Sequence, residues 1–214
     1  MLTGPSFIPK STKYALVLLH GYGADGNDLF SLASHLNPVF PEMAIFAPNA
    51  PSQTMLSGYE WFSLEDYFSK TNLDISYLNE LSIRGLKTMP LVEEYITSIE
   101  TKLNIPRENI FIAGFSQGGL MASLTAFHSK QKFKGLILMS PVPMASIPAT
   151  ANKIPVLLTR GLQDDVIPSK ISEMTRPILE KNNFLVQESI DPYTAHGISL
   201  IHLSALIQFI KENI

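Results

Sequence analysis

From Lys13 to His20 the chain is apolar at nearly every position, and the run stops at Gly21. A strand without polar alternation is covered on both faces, the signature of a parallel sheet. The same pattern returns at Met43 to Ala47, Ile110 to Ala113, Gly135 to Met139, Ile154 to Thr159 and Phe184 to Ile190. Between these runs the apolar residues move to helical spacing: Leu29 to Leu36, Leu78 to Leu103, Leu120 to His128, Ile171 to Asn182 and Ile198 to Ile210. Asn27 or Asp28 is expected to cap the first of these helices, and Gly85 and Pro90 to break or kink the second. Strands alternating with helices over short links predict an α/β fold, a mostly parallel central sheet with helices on both faces. No internal repeat, low-complexity tract or linker divides the chain, so residues 1–214 are read as a single domain.

One stretch breaks the alternation. Residues 52 to 78 show no clean period and carry Tyr59, Trp61, Phe62, Tyr67, Phe68 and Tyr77. Irregular segments of this length inside a compact domain are often functional. A substrate-facing wall or lid and a packed surface excursion both fit. Exposed aromatics here would also support a weak homodimer.

Composition narrows the function classes. With 214 residues, 45% hydrophobic and 16% charged, the chain has material for a substantial core. A net charge of -3 gives no electrostatic reason to expect nucleic acid. The absence of cysteine rules out a Cys nucleophile, disulfides and thiolate zinc sites. Met1 to Lys13 lacks the apolar stretch of a secretory leader, and Tyr14 to Leu19 is too short to cross a bilayer. The expectation is a cytoplasmic protein with no integral membrane segment.

The chemistry concentrates at Gly114-Phe115-Ser116-Gln117-Gly118, a G-x-S-x-G between a strand and a helix. That is the context of a nucleophile elbow, in which one strained turn projects the serine and the next amide, that of Gln117, can steady an oxyanion. The plainer alternative is a serine that only caps the helix. An acyl-transfer serine needs a base and an orienting carboxylate, in the chain order Ser, Asp or Glu, His. His20, His35 and His128 all come too early. His196, in the loop after the last strand, is favoured over His202, which falls inside the last helix as a surface or half-buried residue. For the acid, Asp164 and Asp165 follow the strand ending at Thr159, and spacing does not separate them. Asp191 is too close to His196 in sequence to be the usual orienter.

Gly21-Tyr22-Gly23-Ala24-Asp25-Gly26 is a literal G-x-G-x-x-G between strand and helix, the dinucleotide fingerprint. That fingerprint also wants an acidic residue at the end of the second strand, where Ala47-Pro48-Asn49 stands instead. The same loop can supply a second oxyanion donor, the amide of Tyr22.

Taken together, Leu19 to Asp25, Ala47 to Pro51, Trp61-Phe62, Gly114 to Gly119, Asp164 to Pro168 and His196-Gly197 resemble the carboxylesterase and lysophospholipase family of small α/β-hydrolases, which includes the acyl-protein thioesterases. The resemblance runs from residue 19 to 197. It implies a serine hydrolase of carboxylic esters or thioesters, with Ser116 as nucleophile, His196 as base and the amides of Tyr22 and Gln117 as oxyanion hole. It selects Asp164 over Asp165, because the family's acid opens an Asp-x-Val-Val-Pro-like run. It further implies Trp61 and Phe62 as pocket lining, no metal or organic cofactor, and a small acyl ester, lysophospholipid or acylated protein as substrate. Tyr22 in place of a more usual aliphatic residue and Asp165 in place of a common proline depart from the pattern.

Overall fold

The computed structural model describes residues 1–55, 57–64 and 74–214; Tyr67 and Phe68 of the aromatic stretch lie outside the described residues. In chain order the elements are β1 (Ser6–Phe7), β2 (Tyr14–Leu19), α1 (Gly26–Phe30), α2 (Ala33–Leu36), β3 (Met43–Phe46), β4 (Ser52–Gln53) and β5 (Tyr59–Glu60). There follow α3 (Ile75–Leu103), β6 (Ile110–Phe115), α4 (Gln117–His128), β7 (Gly135–Met139), β8 (Val156–Gly161), α5 (Ser169–Ser172), α6 (Thr175–Lys181), β9 (Val186–Asp191) and α7 (Leu200–Asn213). Seven strands form one sheet in the order β1-β3-β2-β6-β7-β8-β9. All neighbours pair in parallel except the edge strand β1, which runs antiparallel to β3.

The unbroken apolar runs have the expected cause. In β2, Ala15, Val17 and Leu19 face a cluster that contains residues of α3 and α4, while Leu16 and Leu18 face one that contains residues of α1, α2 and α7. Helix α4 is buried from Gln117 through Phe127, which is why its sequence carries no polar face.

Several local expectations are corrected. The first helix is capped by Asp25, whose carboxylate accepts from the Asn27 amide at 2.8 Å, and not by Asn27 or Asp28. Neither Gly85 nor Pro90 interrupts α3, which runs 29 residues unbroken. Gly85 lies against Leu124, Met121 and Phe62, where a Cβ would stand 2.4 Å from Leu124 Cδ1, so its missing side chain serves packing against α4. Pro90 is exposed, on the side where a carbonyl deprived of its amide partner can be hydrated. The stretch expected as one helix from 171 to 182 is two. Pro177 lacks the amide that would bond back to residue 173, so the helix restarts at Thr175 with the proline in its first turn. The aromatic stretch contains a small antiparallel pair, β4 with β5, that no period announced. Of its described aromatics, Trp61, Phe62 and Tyr77 are buried and Tyr59 is half-buried. Among the described residues no helix is long and apolar enough to cross a membrane.

Candidate active site

The carboxyl ends of β6, β8 and β9 meet along one edge of the sheet, and each carries one of the candidate residues. Ser116 follows β6 directly, with φ 53° and ψ -117°. A side-chain-bearing residue rarely adopts that backbone, and it persists only where its surroundings dictate it. Here they do. A Cβ on Gly114 would lie 2.0 Å from Gly118 O, and one on Gly118 would lie 1.9 Å from Leu19 O, so strand and helix meet at a separation only glycines allow. The Ser116 amide donates to Met139 O at 3.0 Å, and its carbonyl accepts from Gly119 and Val142. The Ser116 side chain makes no capping bond to α4, so the hydroxyl is not a helix cap. The amide of Gln117 opens a 12-residue helix, where first-turn amides lack partners within the helix and the dipole favours negative charge.

Asp164 and His196 are brought together from 32 positions apart, His196 Nδ1 lying 2.8 Å from Asp164 Oδ2. The other carboxylate oxygen accepts from the amides of Val166 at 3.0 Å and Ile167 at 2.8 Å. Burial pushes the Asp164 carboxyl up, but the bonds from His196 and from the Ile167 and Val166 amides outweigh it, leaving it below its ordinary value. An ionised carboxylate only accepts, so Nδ1 carries the imidazole proton and Nε2 is left as the basic nitrogen. Asp165 is exposed and does not turn to the histidine. Asp191, set aside as an orienter, instead shapes the loop that carries His196, accepting from the Tyr193 amide at 2.9 Å and the Thr194 hydroxyl at 2.7 Å.

His202 is not at the surface. It is 1% exposed; its Nε2 donates to Arg160 O at 3.1 Å, and its Nδ1 closes a capping box with Ser199 at the start of α7. Burial pushes its pKa down, so it is a neutral, bonded core group.

The third loop follows β2 and holds Gly21 and Tyr22 beside the serine. It is fastened by His20, a residue the sequence reading passed over as too early to be a base. His20 is completely buried, its Nδ1 donating to Gly21 O at 2.8 Å and its Nε2 accepting from the Ala50 amide at 3.0 Å. Burial lowers its pKa, in keeping with a neutral ring. The carbonyl of His20 accepts from Trp61 Nε1 at 2.9 Å. Gln117 completes the fastening, its side chain accepting from the Trp61 amide at 3.0 Å and donating to Phe62 O at 2.7 Å. Trp61 and Phe62, at 1% and 7% exposure, are thus bonded through their backbone to the elbow helix.

A cavity of about 240 Å³ opens over the serine, lined by Gly21, Tyr22, Leu64, Phe115, Ser116, Val142, Val166, Ile167 and His196. Its walls other than the reacting groups are almost all apolar, as a site for an acyl chain requires. Leu64, Val142, Val166, Ile167 and Phe115 were not named from sequence as site residues. Val166 and Ile167 stand in the same short run as Asp164, and Phe115 immediately precedes Ser116, so neighbourhood to the candidate residues was the one available signal. The dinucleotide alternative fails on geometry. The amide of Gly26 donates to Asn49 Oδ1 at 2.8 Å and that of Asn27 to Asp25, and α1 has only five residues, so no free helix terminus waits for a pyrophosphate. Among the described residues no group of three or more His, Cys, Asp or Glu converges in a way that would hold a metal.

Comparison with known proteins agrees with this architecture. The profile of the phospholipase/carboxylesterase family matches residues 9–214. Acyl-protein thioesterase 1 of Eremothecium gossypii is 27% identical over 220 residues, covering 96% of this chain and 90% of that protein. Acyl-protein thioesterase 1 homolog 2 of Dictyostelium discoideum is 31% identical over 183 residues, covering 78% and 77%. Among solved structures, esterase PE8 superposes with a TM-score of 0.88 at 29% identity, over 100% of this chain and 99% of that one. The Bacillus cereus carboxylesterase shares the fold, with a TM-score of 0.80 at 20% identity and coverage of 100% and 95%. The chain belongs to the phospholipase/carboxylesterase family of α/β-hydrolases, and is a serine hydrolase of carboxylic esters and thioesters.

Proposed function

We propose that Ser116, His196 and Asp164 form the catalytic triad and that the amides of Tyr22 and Gln117 form the oxyanion hole. The observation that carries this reading is the 2.8 Å bond between Asp164 and His196 beside a cavity that also exposes the strained serine. His196 Nε2 takes the proton from Ser116 Oγ as that oxygen adds to the acyl carbonyl. The negative charge on the carbonyl oxygen rests on the two amides, worth about 3 kcal/mol of barrier each. His196 then returns the proton to the departing alcohol or thiol, leaving an acyl-serine. Water, deprotonated by the same nitrogen, adds to that ester and releases the carboxylic acid.

The apolar walls favour an aliphatic acyl group, and the similarity to acyl-protein thioesterases extends the reading to thioesters. The test is hydrolysis of p-nitrophenyl esters from acetate to palmitate, together with labelling by a fluorophosphonate. Wild type is expected to turn over and be labelled, whereas Ser116→Ala keeps its fold and loses both. Turnover that survives Ser116→Ala would overturn the assignment.

A further inference from the structure

A second cavity, of about 300 Å³, lies on the far side of His196 and shares with the first only Phe115 and His196. It contains neither the serine nor a residue of the oxyanion loop. Its remaining walls are Asp28, Leu29, Ser31, Leu32, Gly197 and Ile198. The two rings common to both cavities pack at 4.7 Å between centroids and form the partition. We propose that this groove receives the leaving group of the substrate, and that the Asp28 carboxylate makes the enzyme prefer a cationic leaving group to a neutral one and a neutral one to an anionic one. The proposal rests on the triad reading above.

The tetrahedral carbon attached to Ser116 carries three further substituents. The oxyanion points at the Tyr22 and Gln117 amides, and the acyl chain follows the apolar walls around the serine. The leaving atom must face His196 Nε2 to be protonated. Whatever is bonded to that atom therefore continues past the imidazole, and the groove beyond it is the one walled by Asp28 and Ser31. Asp28 is exposed on that wall. Among the described residues no cation pairs with it, and the groove lining includes no lysine or arginine. Asp25, three residues earlier, adds a carboxylate of the same sign nearby. A charge on the leaving group thus meets, through water, the one carboxylate on this wall, that of Asp28. Such a contact is worth about tenfold between cation and anion at low salt, and less as salt screens it.

The experiment uses thioesters with one acyl group and three thiols: thiocholine, N-acetylcysteamine and 3-mercaptopropionate. Because a transient imidazolium would feel Asp28 with every substrate, the ratio of kcat/KM between leaving groups isolates the effect. The expected wild-type order is cation, neutral, anion. Asp28→Asn is expected to bring the cation-to-anion ratio within about twofold of unity, and Asp28→Lys to invert it. Ser31→Lys, which places a cation in the same groove without touching Asp28, should lower the ratio too, and 0.5 M salt should compress the wild-type ratio by roughly the factor screening allows. Equal ratios in wild type and all three variants, with fluorophosphonate labelling intact, would overturn the proposal and leave the triad reading standing. Loss of both thioester turnover and labelling in wild type would overturn the triad reading and this proposal with it.

Discussion

The elbow around Ser116 and the paired loops carrying Asp164 and His196 deliver their groups to one cavity by different physical means. The elbow is local. Its residues are contiguous, and its shape follows from two backbones meeting where a Cβ would stand 2.0 Å or less from a carbonyl oxygen. The loops share one such approach, at Gly161, where a Cβ would lie 2.0 Å from Thr194 O, and beyond it they are held by hydrogen bonds: Leu162 N to Asp191 O at 2.9 Å, Gln163 N to Thr194 O at 3.1 Å and Gln163 Nε2 to Pro192 O at 3.2 Å. Steric exclusion leaves the serine one position. Past the close approach at Gly161 the acid and base are held by hydrogen bonds that compete with water, so damage to those bonds should be graded.

The sharpest test of that difference is Asp164→Asn against Asp165→Asn. An amide at 164 offers a donor where the imidazole already has one, which favours the wrong tautomer and should lower kcat by roughly 10³ to 10⁴. Asp165 is exposed and touches neither ring nitrogen, so its replacement should change kcat/KM by about twofold or less. Parallel kinetics on one p-nitrophenyl ester decide it, and equal losses would undo the assignment of Asp164.

A smaller effect, of opposite sign for stability, belongs to the elbow. Ser116 keeps a positive φ of 53° at some cost, and glycine adopts that backbone freely. Ser116→Gly should therefore abolish turnover while raising unfolding stability by about 1 kcal/mol, after allowing for the freer unfolded chain. Urea denaturation of the two proteins measures it. A variant less stable than wild type would mean that the turn is unstrained, and the contrast with the loops would lose its basis.

What could be read from the sequence follows the same division. The elbow was legible because strand, glycines, serine and helix are adjacent. The order of the strands' chemistry was legible because the sheet's carboxyl edge collects the loops that follow them. Asp164 and Asp165 were inseparable by spacing, since which one turns inward depends on the Val166 and Ile167 amides and on a loop about 30 residues on. Trp61 and Phe62 were expected as pocket lining from the family resemblance alone, and nothing in their own spacing says what their backbone is bonded to. The side-chain amide of Gln117, reaching their backbone, ties them to the helix that follows Ser116. His202 was misplaced for a related reason. A histidine at the third position of a helix carries no marking that it will close a capping box, where glutamate or glutamine is the common partner.

The mildest perturbation tests how adjustable the loops are. Hydrogen bonds from the Thr194 hydroxyl, the Tyr193 amide and the Ser199 hydroxyl pull the Asp191 carboxyl down to about 2. A group whose folded value is depressed stabilises the fold above its unfolded value, and that contribution fades as pH falls through the folded one. The window for Asp191 therefore opens at its unperturbed 3.8 and closes near 2. Asp191→Asn removes the charge that organises the turn before His196. It should lower kcat/KM by a few-fold, through a looser imidazole, while fluorophosphonate labelling of Ser116 persists. The Tm of the variant should lie below wild type at pH 6, with the gap narrowing between pH 4 and pH 2 as wild type loses the same contribution. Two Tm curves that stay parallel down to pH 2 would show that the Asp191 charge does not hold this loop. The position of His196 would then rest on the contacts between the two loop backbones and on Asp164.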